Sequence, residues 1–253
     1  MEGNPMHMKS LRVSGRGHVL AKLSEFVYQE PEEAEKLVKE FGFHTFEYYN
    51  RDGAQAYRFE SDSDVVFACR GTEPGNFNDM LADLDARKED SETVGKVHKG
   101  FKREADDIWE MIYEDLIALN EDKRNLWFTG HSLGAAMITI MASRAWDDDA
   151  LPDPLELHTF GSPRAGDAVF ADSMKDKTHY RWVNNNDIVT MVPPAFMGFK
   201  HAGTEKYINS DGLVVKVDFV KKLIDRWNGL MGNKMDMIND HTCSLYAKHC
   251  KAN

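Results

Sequence analysis

Ser132 stands in Gly130-His131-Ser132-Leu133-Gly134, a G-x-S-x-G pattern. A serine hydroxyl attacks an acyl carbon only when one group takes its proton and another holds the charge developing on the carbonyl oxygen. The residues around Ser132 have the makings of both. Leu126, Trp127, Phe128 and Thr129 form a short apolar run that reads as a buried strand, and the stretch after Gly134, rich in Ala, Met and Ile, reads as a helix. A strand that turns so sharply into a helix holds the serine in a strained conformation with its hydroxyl thrust outward. Gly130 and Gly134 leave room where side chains would collide. Ser132 then sits at a helix N-terminus, whose free N–H groups and dipole favour an anion, and the N–H of Leu133 is expected to be an oxyanion donor. The bare pattern is weak, since chance places it in roughly one chain in ten of this length. The flanking strand and small-residue helix give it weight.

A serine nucleophile needs an imidazole as general base and a carboxylate to fix and stabilise that imidazole. The chain order Ser, Asp, His is the one expected on an α/β-hydrolase sheet. Of ten histidines, His201, His241 and His249 follow a plausible acid. His201 lies only fourteen residues beyond Asp187, with Val214 to Phe219 still to be crossed. His249 falls inside an apparent terminal helix and reads as a solvated surface residue. His241 follows Asp240 at the start of that helix, on a loop from which an imidazole can reach back over the sheet edge. Asp187 and His241 are therefore the expected acid and base. This chemistry needs no metal or organic cofactor, and Asp147, Asp148 and Asp149 read as a solvated loop, because successive carboxylates point in different directions.

The elements that must position these residues follow from the patterning. Residues 18–28 and a stretch opening at Pro31 read as helices, the second with Glu32, Glu33 and Glu35 in its first turns and Gly42 beyond its end. Aromatic-rich segments 43–49 and 54–59 flank Asn50, Arg51, Asp52 and Gly53 and read as a hairpin. Residues 64–69 form a continuous apolar run fit for a central strand, ending in Arg70, Gly71 and Thr72. Residues 101–119 place apolar side chains every three or four positions, the mark of an amphipathic helix. Further strands are expected at 155–160 and 180–184. Strands alternating with helices imply an α/β fold, a mostly parallel central sheet flanked by helices, with ligands bound at the carboxyl ends of the strands. Gly71, Ser132, Gly161 and Asp187 all fall at such ends. No linker divides the chain, so residues 1–253 are expected to form one domain, with residues 1–8 set aside as a disordered or cloning-derived start.

Five ordered motifs resemble those of the class 3 lipase family, the fungal-type lipases of the α/β-hydrolase fold. They are Arg70-Gly71-Thr72, Val97-His98-Lys99-Gly100-Phe101, Gly130 to Ala135, Thr159 to Asp167, and Asn185-Asn186-Asp187. The similarity runs from about Ser63 to Tyr246. It implies Ser132 as nucleophile, Asp187 as acid, a late histidine, here His241, as base, and Thr72 as the second oxyanion donor. His201-Ala202-Gly203-Thr204-Glu205 resembles a structural segment of the family, which weakens His201 as a base. The family's secreted members usually carry a signal and disulfides, and neither is evident here.

The net charge of −11 and pI near 5.4 argue against nucleic acid and anionic membranes and favour a neutral ester or lipid substrate. Three cysteines cannot all pair, no apolar leader opens the chain, and no stretch is long enough for a transmembrane segment. A cytoplasmic protein is expected as the chain stands, or a secreted one if a signal has been removed. Met191, Val192 and Pro193 after the acid and Ile238 before the base are expected to line an acyl groove, with His131 and Phe77 also at the substrate. Residues 73–85 read as a short amphipathic helix with Phe77, Met80, Leu81 and Leu84 on one face, placed where the resembling lipases carry a lid; a transient contact with a neutral lipid interface is expected of it. The expected activity is that of a serine carboxylic ester hydrolase, a lipase or esterase acting on acylglycerols or short- to medium-chain esters. The alternatives are a phospholipase A1, a feruloyl-type esterase, or a non-catalytic binding module on a hydrolase fold.

Overall fold

The computed structural model describes residues 7–71, 86–216, 222 and 239–252. Helix α1 (Val13–Phe26) and helix α2 (Pro31–Lys39) open the chain, the second with Pro31 in its first turn and Glu32 and Glu33 beside it. Strand β1 (Thr45–Arg51) pairs antiparallel with β2 (Ala54–Glu60) through a two-residue turn, Asp52-Gly53, both at positive φ. This is the backbone twist that an Asp-Gly pair supplies to a tight hairpin. Strand β3 (Asp64–Cys69) pairs antiparallel with β2 and is buried along its whole length.

A small ribbon follows, β4 (Lys88–Asp90) against β5 (Lys96–His98). Then come α3 (Lys99–Ala118), β6 (Asn125–His131), α4 (Leu133–Asp147), β7 (Glu156–Phe160), α5 (Ala168–Ser173), β8 (His179–Asn184), β9 (Thr204–Ile208), β10 (Val214–Val215) and α6 (Cys243–Ala252). Among the described residues the main sheet has eight strands in the order β1-β2-β3-β6-β7-β8-β9-β10, and the five from β3 to β9 run parallel. The ends of β3, β6, β7 and β8 therefore open on one edge, the arrangement that collects residues far apart in sequence.

Two apolar layers hold the sheet. Val65, Phe67 and Cys69 of β3 face α3 and α4, whereas Val66 and Ala68 face α1 and α6. A strand packed on both faces must be a continuous apolar run, which is why β3 shows no alternation. Helix α4 is buried from Gly134 to Ala145, the mark of a helix wedged into the core rather than laid on it. Helix α6 packs on α1, where His18 Nδ1 lies 2.8 Å from the Ala247 carbonyl and the Cys243 thiol faces the Ala21 carbonyl. That contact fixes the loop entering α6.

Several details differ from expectation. Helix α1 starts at Val13, five residues early, because Val13 and Leu11 join the second apolar layer. Met8, within the start set aside from the sequence, belongs to the fold, only 1% exposed and with its backbone N–H directed at the Asp64 carboxylate at 3.3 Å. The ribbon β4–β5 and strand β9 are short and polar on one side, and their periodicity is too brief to register in sequence. Of the stretch Val214 to Phe219, the described strand keeps Val214 and Val215, Lys216 follows it exposed, and 217–219 lie outside the described residues.

Candidate active site

Ser132 joins β6 to α4 at φ 58° and ψ −130°, a conformation that costs a non-glycine residue about 1–3 kcal/mol. The turn is held from both sides: Ser132 N–H donates to the Phe160 carbonyl at 3.0 Å, and Ala135 N–H to the Ser132 carbonyl at 3.0 Å. The two flanking glycines are required by close approach. A Cβ on Gly130 would lie 2.5 Å from the Gly134 carbonyl oxygen, and one on Gly134 would strike the carbonyl of Cys69. The Ser132 hydroxyl is buried and makes no hydrogen bond to any described residue.

Asp187 is fully buried just beyond β8. Its Oδ2 lies 2.9 Å and its Oδ1 3.0 Å from Nδ1 of His241; Oδ2 also accepts from the Tyr246 hydroxyl at 2.5 Å, and Oδ1 from the Val189 N–H at 2.9 Å. Burial alone would raise this carboxyl's pKa, but the adjoining His241 and the bonds from His241 and Tyr246 outweigh it and hold the group below the usual carboxylate range. The loop carrying the histidine is gripped by the end of β8. Asn184 Nδ2 donates to the Asp240 carbonyl at 2.9 Å and Asn186 N–H to the Asp240 carboxylate at 3.1 Å.

The same edge brings the serine and the histidine together. The Phe160 carbonyl that holds Ser132 is followed by Gly161, whose φ is +58°; a Cβ there would lie 2.6 Å from Asp187 Oδ2 and 2.8 Å from His241 Nδ1. His131, next to Ser132, packs against His241 with ring centroids 4.4 Å apart and planes tilted by 31°. With Nδ1 facing the carboxylate, Nε2 lies on the far side of the His241 ring from Asp187. The arrangement brings to one sheet edge a serine on an elbow, an imidazole bonded to a buried carboxylate, and a helix N-terminus beginning at Leu133.

Other expected residues fall elsewhere. His201 directs Nε2 at the Thr190 carbonyl at 2.8 Å, and burial lowers its pKa well below the ordinary range, the signature of a neutral structural imidazole. His131 is 5% exposed and uses both ring nitrogens inside the protein, so it faces inward rather than toward a substrate. Met191 and Val192 are half-buried and Pro193 buried, and Arg164 braces them by donating to the Met191 and Pro193 carbonyls through its guanidinium and to the Val192 carbonyl through its N–H. Thr72, Phe77 and Ile238, with the whole of 73–85, lie outside the described residues. Beside Gly71 and Leu133 a cavity of about 370 Å³ opens, lined also by Gln55, Arg70, Glu104 and Met137. Neither the cavity nor Tyr246 was legible in sequence; Tyr246 carries no motif, and only its place five residues after His241 on a helix hints at a return to the acid.

Residues 66–197 match the family model described as lipase (class 3). The chain belongs to the class 3 lipase family. Among class 3 lipase relatives, a lipase of Rhizomucor miehei is 31% identical over 170 residues, 62% of this chain and 45% of that protein. The toxin TseL of Vibrio cholerae is 31% identical over 153 residues, 60% of this chain and 23% of the toxin. The chain thus spans less than half the length of these curated relatives. A solved structure of Rhizomucor miehei triacylglyceride lipase shares the fold with a TM-score of 0.71 at 22% identity, covering 93% of this chain and 96% of that one. The α/β-hydrolase fold of this member of the class 3 lipase family is that of its structural neighbours.

Proposed function

We propose that the protein hydrolyses carboxylic esters through an acyl-enzyme, with acylglycerols or short- to medium-chain esters as substrates. The observation that carries this reading is the Asp187–His241 pair, bonded at 2.9 Å, on the same sheet edge as the strained Ser132. In this reading Ser132 Oγ attacks the ester carbonyl while His241 Nε2 takes its proton. Asp187 stabilises the imidazolium, and the N–H of Leu133 with Thr72 holds the oxyanion. His241 then returns the proton to the departing alcohol, and water repeats the cycle on the acyl-enzyme. Family membership and the Rhizomucor miehei lipase support a lipid ester, and a net charge of −11 favours a neutral one. The cavity beside Gly71 and Leu133 offers space next to the reacting carbonyl for one arm of such an ester.

The test is labelling by a fluorophosphonate, followed by hydrolysis rates over p-nitrophenyl esters of increasing chain length beside emulsified triglyceride and phospholipid. Ser132 is expected to carry the label, and triglyceride or a neutral ester to be cleaved faster than phospholipid. A folded protein that hydrolyses esters while Ser132 stays unlabelled would overturn the assignment.

A further inference from the structure

Tyr28 lies between α1 and α2, more than a hundred residues from the elbow, yet its hydroxyl is 2.9 Å from Nδ1 of His131. The other nitrogen of that ring, Nε2, is 2.6 Å from the carbonyl oxygen of His241. A carbonyl only accepts, so Nε2 carries the hydrogen. Burial, and after it the neighbouring His241, depress the His131 pKa to about 3, so the ring is neutral and Nδ1 holds a lone pair. Tyr28 must then be the donor to Nδ1. The His241 carbonyl thereby selects the tautomer, and the phenol anchors that ring through Nδ1.

This chain of bonds reaches the groups that react. The His131 and His241 rings lie 4.4 Å apart, tilted by 31°, so the His131 ring packs directly against the His241 ring. The Tyr28 oxygen and the Ser132 Cβ flank the same side of Gly71, at 2.5 Å and 2.9 Å from where its Cβ would stand. Tyr28 thus ties together the segments carrying Gly71, Ser132 and His241.

We propose that Tyr28 and His131 form a positioning pair for the base, with the phenol anchoring the His131 ring through Nδ1 and His131 holding the carbonyl of His241 and packing against its ring. This rests on the reading of His241 as general base. A neutral His131 is also what the reaction needs, since a cation packed against His241 would oppose the imidazolium formed during acyl transfer.

The experiment is a double-mutant cycle on a soluble ester, p-nitrophenyl butyrate, with His131→Gln and His131→Leu. A glutamine amide can donate to the His241 carbonyl without an anchor on Tyr28; leucine cannot donate at all. Tyr28→Phe is expected to lower kcat about 10-fold with KM unchanged, in the range that a small misplacement of a reacting group produces. His131→Leu should lose about 100-fold, His131→Gln clearly less, and Tyr28→Phe should add nothing in the His131→Gln background. Wild-type kcat in Tyr28→Phe, or a further 10-fold loss in the His131→Gln background, would overturn the proposal. If Tyr28→Phe does not fold, equal kcat for His131→Gln and His131→Leu overturns it instead. His241→Ala measured alongside separates the two levels: an active His241→Ala removes the base assignment itself, whereas an inactive one leaves the cycle to judge Tyr28 and His131.

Discussion

The Tyr246 hydroxyl donates to Oδ2 of Asp187 at 2.5 Å, the same oxygen that lies 2.9 Å from His241 Nδ1, and accepts from the Asn184 N–H at 3.0 Å. One phenol therefore holds both the buried acid and the last residue of β8. Tyr246→Phe removes a donor from a buried carboxylate and orphans a buried N–H, at a cost of about 1–3 kcal/mol. We expect a lower urea midpoint and a kcat reduced about 10-fold. Unchanged stability and rate would mean that the carboxylate is held by its other partners alone.

Substitutions at Ser132 separate chemistry from strain. Ser132→Ala is expected to reduce kcat by a factor on the order of 10⁶ and leave stability nearly unchanged. Ser132→Gly should be equally inactive yet more stable than Ser132→Ala by about 1 kcal/mol, because glycine adopts φ 58° and ψ −130° without penalty. Urea unfolding of the two variants checks the difference, and equal midpoints would show the elbow unstrained.

Gly161→Ala should inactivate through crowding alone. Its methyl would stand 2.6 Å from Asp187 Oδ2 and 2.8 Å from His241 Nδ1, at a φ of +58° that alanine resists. We expect a kcat loss of about 100-fold from displacement of the pair, while a nearby alanine exchange without such neighbours, at Ser173 on α5, leaves the rate intact. A fully active, folded Gly161→Ala would contradict the arrangement at the sheet edge.

The two late histidines should diverge. His241→Ala is expected to abolish hydrolysis in a folded protein, because in the proposed mechanism Ser132 then has no general base. His201→Ala leaves the Thr190 carbonyl without its donor and opens a hole, so its effect should fall on stability, about 1–3 kcal/mol, with kcat near that of wild type at temperatures where it is folded. The reverse pattern in kinetics and thermal melts would exchange the roles.

Stability should fall with pH well above the carboxylate range. His131 and His179 are buried, and burial is the main cause that lowers each from 6.5 to about 3. Between those values the unfolded chain binds protons at both rings and the folded chain does not, so acidification favours unfolding. The slope approaches about 1.4 kcal/mol per pH unit for each ring once the unfolded ring is protonated. Asp187, depressed in the folded state, adds a loss only below its unfolded value of 3.8. Urea midpoints at pH 7.5, 6 and 4.5 should decline steadily; a flat profile would show that these rings take up protons while folded.

The features that the sequence by itself determined are those whose physics is local. Two glycines around Ser132, between an apolar strand and a small-residue helix, describe the elbow because its crowding arises within one turn of chain. Asp52-Gly53 encodes a hairpin turn, and the all-apolar 64–69 encodes a strand covered on both faces. Asp187 could be located by its position at a strand's carboxyl end. The choice among His201, His241 and His249 was of another kind, made from chain order and resemblance, since a histidine's use depends on what it faces. Tertiary structure decided the rest: that His241 meets a carboxylate 54 residues away, that His201 turns to a carbonyl, that His131 points inward, and that Tyr28 and Tyr246 close the network. Those contacts exist only once α1, α6 and the ends of β6 and β8 are superposed by packing of the apolar layers. Residue spacing along the chain carries the backbone's own constraints, whereas the direction of a buried polar side chain is set by partners brought there by other elements.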